Sequence, residues 1–283
     1  MAQEGNGVGE HYAAKGLVQR MRTALAALGS EDRLLTTREL GAMDQFHTRG
    51  HAATAELAEL AAIEATDRVL DLGCGIGGPA RLIAESRGCR VTGVDLSEGF
   101  VEAARYLSQR TGLQERVEFH VGSALALDFA DASFDVVLLQ HVAMNIADRS
   151  RLYREIRRLL VAGGRFGTYD VVRGEGEPLY PAPWARDARD SFLLDAQATL
   201  EAVEAAGLRV RAWHDDTPAA RNWAAQRKAA ASGSRPPAPG LGVVMGPDFP
   251  VQAGNHARNL LEGRVGVLMA VFEAAFEAAL EAV

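Results

Sequence analysis

The chain has 283 residues, 48% of them hydrophobic, and a formal net charge of −7 at pH 7. That length and composition can bury one large α/β core with an appended cap, and two independent domains are not required. The acidic balance, without a basic cluster interleaved with aromatics, argues against nucleic acid as a partner, and the two cysteines, Cys74 and Cys89, are too few for a disulfide framework. The first nine residues are polar and Gly-rich and no apolar run approaches 18 residues, so no membrane partner and a cytoplasmic location are expected.

Taken in order, Leu17, Val18, Met21, Leu25 and Leu28 fall near helical spacing and predict an amphipathic helix over 11–28. A short helix or turn is expected at 34–40, then a polar segment, 44–50, ahead of an Ala/Leu/Glu-rich helix over 52–62. From Arg68 onward strand and helix alternate: strands over 68–72, 90–95 and 117–121, helices over 78–86 and 98–111. The apolar run 134–139 reads as a buried fourth strand, 151–160 as a helix, and 163–172 as a fifth strand. This alternation predicts a doubly wound, mostly parallel sheet with helices on both faces. A Gly/Pro-rich loop, 173–194, holds Tyr180, Trp184 and Phe192, then a helix over 195–206 and a strand over 208–213 resume the pattern. Residues 218–231 read as helix and 232–240 as a linker; Asn255 to Asn259 is dense in amides around His256. Periodicity alone makes the whole C-terminal tail helical.

The chain is organised around VLDLGCGIGGPAR, residues 69–81. An apolar run ending in an acid, followed by closely spaced glycines and a helix-permissive segment, predicts a buried strand turning tightly into a helix. Glycines allow close backbone approach and positive φ, and the free N–H groups of the following helix face the same space. The spacing is D-x-G-x-G-x-G-G and not the G-x-G-x-x-G of a dinucleotide site; a carboxylate at Asp71 repels a pyrophosphate and attracts a cationic or amine-bearing ligand. Asp95 ends the second strand about 20 residues further on, where a Rossmann-like domain places an acid on ribose hydroxyls. That placement suits S-adenosylmethionine (SAM) and NAD equally.

VLDLGCGIGGPAR resembles the first motif of class I SAM-dependent methyltransferases, in the small-molecule branch that includes sarcosine/dimethylglycine, sterol, tocopherol and phosphoethanolamine enzymes. The resemblance implies a Rossmann-like, doubly wound, mostly parallel seven-stranded sheet with an N-terminal helical lid and a helical cap insertion. It divides the chain into a lid (1–62), a SAM-binding core (63–214) with the substrate loop 173–194, and a cap with linker and final strand or tail (215–283). It further implies that Tyr12 closes over the methionine end of SAM and that His47, in DQFHTRG, contacts the SAM carboxylate, with Arg49 and Gly50 adding a cation and open amides. Gly73, Gly75, Asp95, Leu96, Ser123, Ala124 and Gln140 complete the expected cofactor set with Asp71. Relatives often carry an acid at the Ser123 position, facing the adenine amino group, so a hydroxyl replaces it here. The final strand is implied at 265–272, antiparallel.

Methyl transfer from a sulfonium needs alignment and exclusion of water more than a covalent intermediate or a metal, and positioning alone contributes about 7–11 kcal/mol. By alignment with phosphoethanolamine-type enzymes, His141 stands where those carry an Asp and Asn145 where they carry a His. His141 can act as a base or as a hydrogen-bonding residue; Asn145 orients a substrate but takes no proton. Tyr180, Trp184, Phe192 and His256 are the expected acceptor contacts. The reading is a SAM-dependent methyltransferase of a small-molecule, natural-product or amine acceptor, with N-methylation favoured over O- or C-methylation. The alternatives are an O- or C-methyltransferase of a quinone- or isoprenoid-like substrate, an NAD(P)-dependent oxidoreductase, and a SAM-binding protein without catalysis. No metal is expected, since the histidines and acids lack ligand-like spacing, and homo-oligomerisation is left open.

Overall fold

The computed structural model describes residues 16–26, 33–230 and 240–275. Tyr12 lies outside them, as do most of the expected linker and the end of the tail. Two short helices, α1 (Leu17–Ala26) and α2 (Thr37–Asp44), precede α3 (His51–Leu60). The start of α2 is set by a capping box: Thr36 Oγ1 accepts from Glu39 N at 3.2 Å and Thr36 N donates to the Glu39 carboxylate at 2.9 Å. The core then runs β1 (Arg68–Leu72), α4 (Gly78–Arg87), β2 (Arg90–Asp95), α5 (Glu98–Thr111), β3 (Val117–Val121), β4 (Phe134–Gln140), α6 (Arg149–Leu159) and β5 (Leu160–Arg173). After the loop come α7 (Ala196–Glu204), β6 (Leu208–Asp215), α8 (Thr217–Ala230), α9 (Gly242–Met245), α10 (Phe249–Leu261) and β7 (Val265–Ala274).

The seven strands form one sheet in the order β3-β2-β1-β4-β5-β7-β6, parallel except for β7, which runs antiparallel to both neighbours. Parallel strands are covered on both faces and so need apolar side chains at consecutive positions. In β1 and β4 this is met directly: Val69, Val136 and Leu138 pack into one buried cluster with Leu57 and Ile83, while Leu70, Leu72, Val137 and Leu139 pack into the other with Leu152 and Phe166. A third cluster joins α1 and α2 to α5 and the glycine turn through Leu17, Met21, Leu40, Met43, Ile76 and Phe100. Beneath it lies an ion pair out of contact with solvent, Arg81 Nη2 to Asp44 Oδ2 at 2.9 Å. The N-terminal helices are therefore bolted to the helix that follows the glycine turn.

The tail departs from its helical periodicity. Val265 to Ala274 is a strand paired along both edges, with Phe166 opposite Phe272 on one side and Val210 opposite Phe272 on the other. Pairing between two strands overrides the propensity of its Ala and Glu. No helix among the described residues is long and apolar enough to cross a membrane.

Candidate active site

All parallel strands deliver their carboxyl ends to one edge, where ligands bind in folds of this kind. The chain leaves β1 and folds back on β2: Gly73 N and Cys74 N both donate to Val94 O, at 2.7 and 3.0 Å. Gly73 has φ +70°, and a Cβ there would overlap the Val142 side chain. Gly75 N then donates to Asp95 Oδ2 at 2.9 Å, while the other Asp95 oxygen accepts from Ser97 N at 2.9 Å. The acid at the end of β2 is thus locked to the turn by backbone amides, and burial raises its pKa against their pull.

These residues open onto a cavity of about 2210 Å³. Gly73, Gly75, Asp95, Leu96, Ser123, Ala124 and Gln140 line one part of it; His47, His141, Asn145, Trp184, Phe192 and His256 line the rest. Thirteen residues drawn from distant segments of the sequence therefore face one space. Two expected contacts do not. Asp71 is 1% exposed, is not on the cavity wall, and accepts from Ala80 N at the start of α4; burial and then the neighbouring Asp95 raise its pKa to about 7. It shapes the turn from behind. Tyr180 also lies off the wall, its ring packed against the main apolar cluster. Arg49 lines the cavity but is engaged by Glu56 and Asp216, at 2.9 and 2.7 Å, so it is not a free cation for a ligand carboxylate.

The deep end is built from imidazoles. His141 follows β4 with φ +55°, its N–H bonded to Tyr169 O at 2.8 Å and its ring stacked on Tyr169 at 5.3 Å between centroids. The Tyr169 hydroxyl donates to Asp216 at 2.8 Å, which fixes the surface on which His141 rests. His47 and His256 approach His141 edge-on, at 6.0 and 6.4 Å. Burial holds His47 and His256 down to about 4 and drives His141 well below the usual histidine range. All three rings are therefore neutral near pH 7. His47 Nε2 is occupied by Gly50 O and Thr54 Oγ1, each at 3.0 Å, whereas His141 Nε2, Asn145 Oδ1 and Gln140 Nε2 are buried without a partner. Unpartnered buried polar atoms are uncommon and call for a ligand or water. Among the described residues, no group of three His, Cys, Asp or Glu is arranged to hold a metal.

The amide-rich stretch of α10 holds the loop 173–194 in place. Asn255 Nδ2 donates to Pro181 O at 3.0 Å, and Asn259 exchanges two hydrogen bonds with Leu179, at 2.7 and 3.0 Å. Trp184 consequently lies edge-on to His256 at 5.5 Å, with its indole N–H on Ser191 at 2.9 Å. Cavity residues not foreseen include Trp223, Met245 and Phe249. The one legible hint was Trp223 and Arg227 at helical spacing; Arg227 lies over the Trp223 ring at 5.1 Å.

A mostly parallel seven-stranded sheet with a glycine turn, a second-strand acid and an adjoining cavity is the fold of class I SAM-dependent methyltransferases. Residues 70–168 match the model of the methyltransferase domain family. Methyltransferase GfsG of Streptomyces halstedii is 35% identical over 130 residues, covering 46% of this chain and 47% of that protein. The chain spans less than half the length of the curated relatives it matches. Among solved structures, phosphoethanolamine N-methyltransferase 2 of Haemonchus contortus, in complex with SAM, aligns with a TM-score of 0.69 at 20% identity, covering 93% of this chain and 60% of that one. The [4+2]-cyclase SpnF aligns at 0.65 and 22% identity, covering 94% and 96%.

Proposed function

We propose that this chain transfers the methyl group of SAM to a small-molecule acceptor, with a nitrogen nucleophile as the favoured target. The observation that carries the reading is one cavity running from the Asp95–Gly75 lock to the unpartnered His141 and Asn145. When bound, SAM supplies an electrophilic methyl on sulfur. The residues present fit it: Asp95 has lone pairs for two ribose hydroxyls, Leu96, Ser123 and Ala124 border the adenine side, and the orphaned Gln140 amide N–H suits the methionine carboxylate beside His47 and Gly73. Tyr12 is proposed to close over the same end, with 1–62 as lid and 215–283 as cap on a core of 63–214.

At the acceptor end, burial among neutral imidazoles disfavours a charged ammonium and holds an amine with its lone pair free. Asn145 Oδ1 accepts one of its N–H groups, which aims the lone pair toward the methyl. His141, neutral and unpartnered, takes the proton that the nitrogen sheds after transfer. Trp184 and Phe192 shield the reacting atoms from water. The same His141 nitrogen can take a hydroxyl proton, so O-methylation is the second reading. The acceptor is a free small molecule, with neither nucleic acid nor membrane involved.

The testing experiment is calorimetric titration with SAM, S-adenosylhomocysteine and NADH in parallel, followed by a screen for labelled methyl transfer to amines and hydroxyl compounds. Micromolar binding of the first two, none of NADH, and labelled N-methyl products are expected. NADH binding alone would overturn the methyltransferase reading; products methylated only on oxygen or carbon would overturn the nitrogen preference.

A further inference from the structure

Thr48 lies between α2 and α3 and His256 in α10, yet Thr48 Oγ1 and His256 Nε2 are 3.0 Å apart. Both are enclosed, at 2% and 8% exposure. A hydroxyl proton withdrawn from water needs an acceptor, and among the described residues His256 Nε2 is the partner of the Thr48 hydroxyl. Donation from Thr48 therefore leaves the ring proton on Nδ1, and His256 Nδ1 is buried with no partner in the protein. Its ring meets that of His141 at 84° and 6.4 Å between centroids, and His141 Nε2 is likewise unpartnered. Both rings line the same cavity, so one bound molecule can meet a donor on the first and a base on the second.

We propose that His256, its tautomer set by Thr48, donates a hydrogen bond to the methyl acceptor, and that the acceptor carries an oxygen (hydroxyl, carbonyl or ether) in addition to the atom that is methylated. A neutral amine has one lone pair, and that pair must attack the methyl carbon. A donor aimed at the same nitrogen would compete for it, so the His256 proton calls for a second heteroatom. The inference rests on reading the cavity as a methyl-transfer site. It narrows the acceptor to amines that also bear a hydroxyl, ether or carbonyl oxygen.

The test reads the tautomer without cofactor, by nitrogen NMR of protein labelled in its imidazole rings. The expected result is a protonated His256 Nδ1, retained in Thr48→Ser and moved to Nε2 in Thr48→Val. trans-2-Aminocyclohexanol and cyclohexylamine are then titrated into protein saturated with S-adenosylhomocysteine. The amino alcohol should shift the His256 Nδ1 resonance and bind about tenfold more tightly, as one added hydrogen bond predicts, and Thr48→Val should erase that advantage. A proton on Nε2 in the unmodified protein, equal binding of the two probes, or no effect of either on His256 overturns the proposal. SAM titration of the same samples separates the two failures: lost SAM binding overturns the methyl-transfer reading and leaves the tautomer result standing.

Discussion

Replacing Asp95 by alanine removes the carboxylate that ends β2 and tests the cofactor site most directly. In the structure its two oxygens accept from Gly75 N and Ser97 N, each at 2.9 Å, and the residue lines the cavity. Two ribose hydroxyls donating to it would make two hydrogen bonds to a charged group, at about 1.5–3 kcal/mol each. Their loss amounts to roughly 3–6 kcal/mol, or ~10²- to 10⁴-fold in Kd at 1.4 kcal/mol per tenfold. The assay is calorimetric titration with SAM and S-adenosylhomocysteine, with a thermal melt of the same sample to separate lost contacts from a loosened turn. Asp95→Asn, which keeps one oxygen but turns the other into a donor, should fall between. A folded Asp95→Ala protein that binds SAM within about fivefold of the parent refutes the reasoning.

His141→Ala should leave SAM affinity within about twofold and lower turnover by roughly 10²-fold, the low end of general-base contributions; weakened SAM binding would recast His141 as a cofactor residue. Asp44→Ala strips the buried Arg81 of its counter-charge and should cost about 3–5 kcal/mol of stability, read as the denaturant midpoint; an unchanged midpoint would mean that water reaches the pair. Stability against pH combines opposed groups, two pairs of them with shifts large enough to place. His47 and His256, held near 4 by burial, bind fewer protons folded than unfolded between about pH 4 and 6.5, so their contribution to stability rises with pH across that window. Asp71 and Asp170, raised by burial to about 7, keep protons in the folded state that the unfolded chain loses above about 4, so their contribution falls. Asp71→Asn removes one opposing member, and urea unfolding between pH 4.5 and 6.5 should then show a steeper rise of stability with pH than in the parent; an unchanged slope refutes the offset.

The parallel core was legible because its signals are local: apolar runs of strand length alternating with helical segments, and a glycine turn before Pro79. Asp71 lies off the cavity wall, against the sequence expectation, for a reason that follows from its position. An acid before a glycine turn can face the ligand or the helix behind it, and only the fold of the turn, with Ala80 N in reach, decides between them. Arg49 looked like a free cation because Asp216, which claims it, lies far along the chain. Convergence of His47, His141 and His256 depends on three separate elements meeting at one sheet edge, and no spacing in the chain encodes that. The α10 amides were noticed as a composition, but their role required the positions of Leu179 and Pro181.

The antiparallel placement of β7 has a consequence for how acceptor preference can change. The excursion carrying α8, α9 and α10 leaves the sheet after Asp215 and returns at Val265, and its ends are tied together where Asp216 N meets Val267 O at 2.9 Å and Asp215 pairs with Leu268. A segment whose two ends already touch can grow or shrink at little entropic expense, about 0.6 kcal/mol for each doubling of length. The wall holding Trp223, Phe249 and His256 is therefore an exchangeable cartridge on a fixed chassis: excising it between Asp216 and Val267 and grafting another would leave Asp95, Gly75 and His141 where they stand.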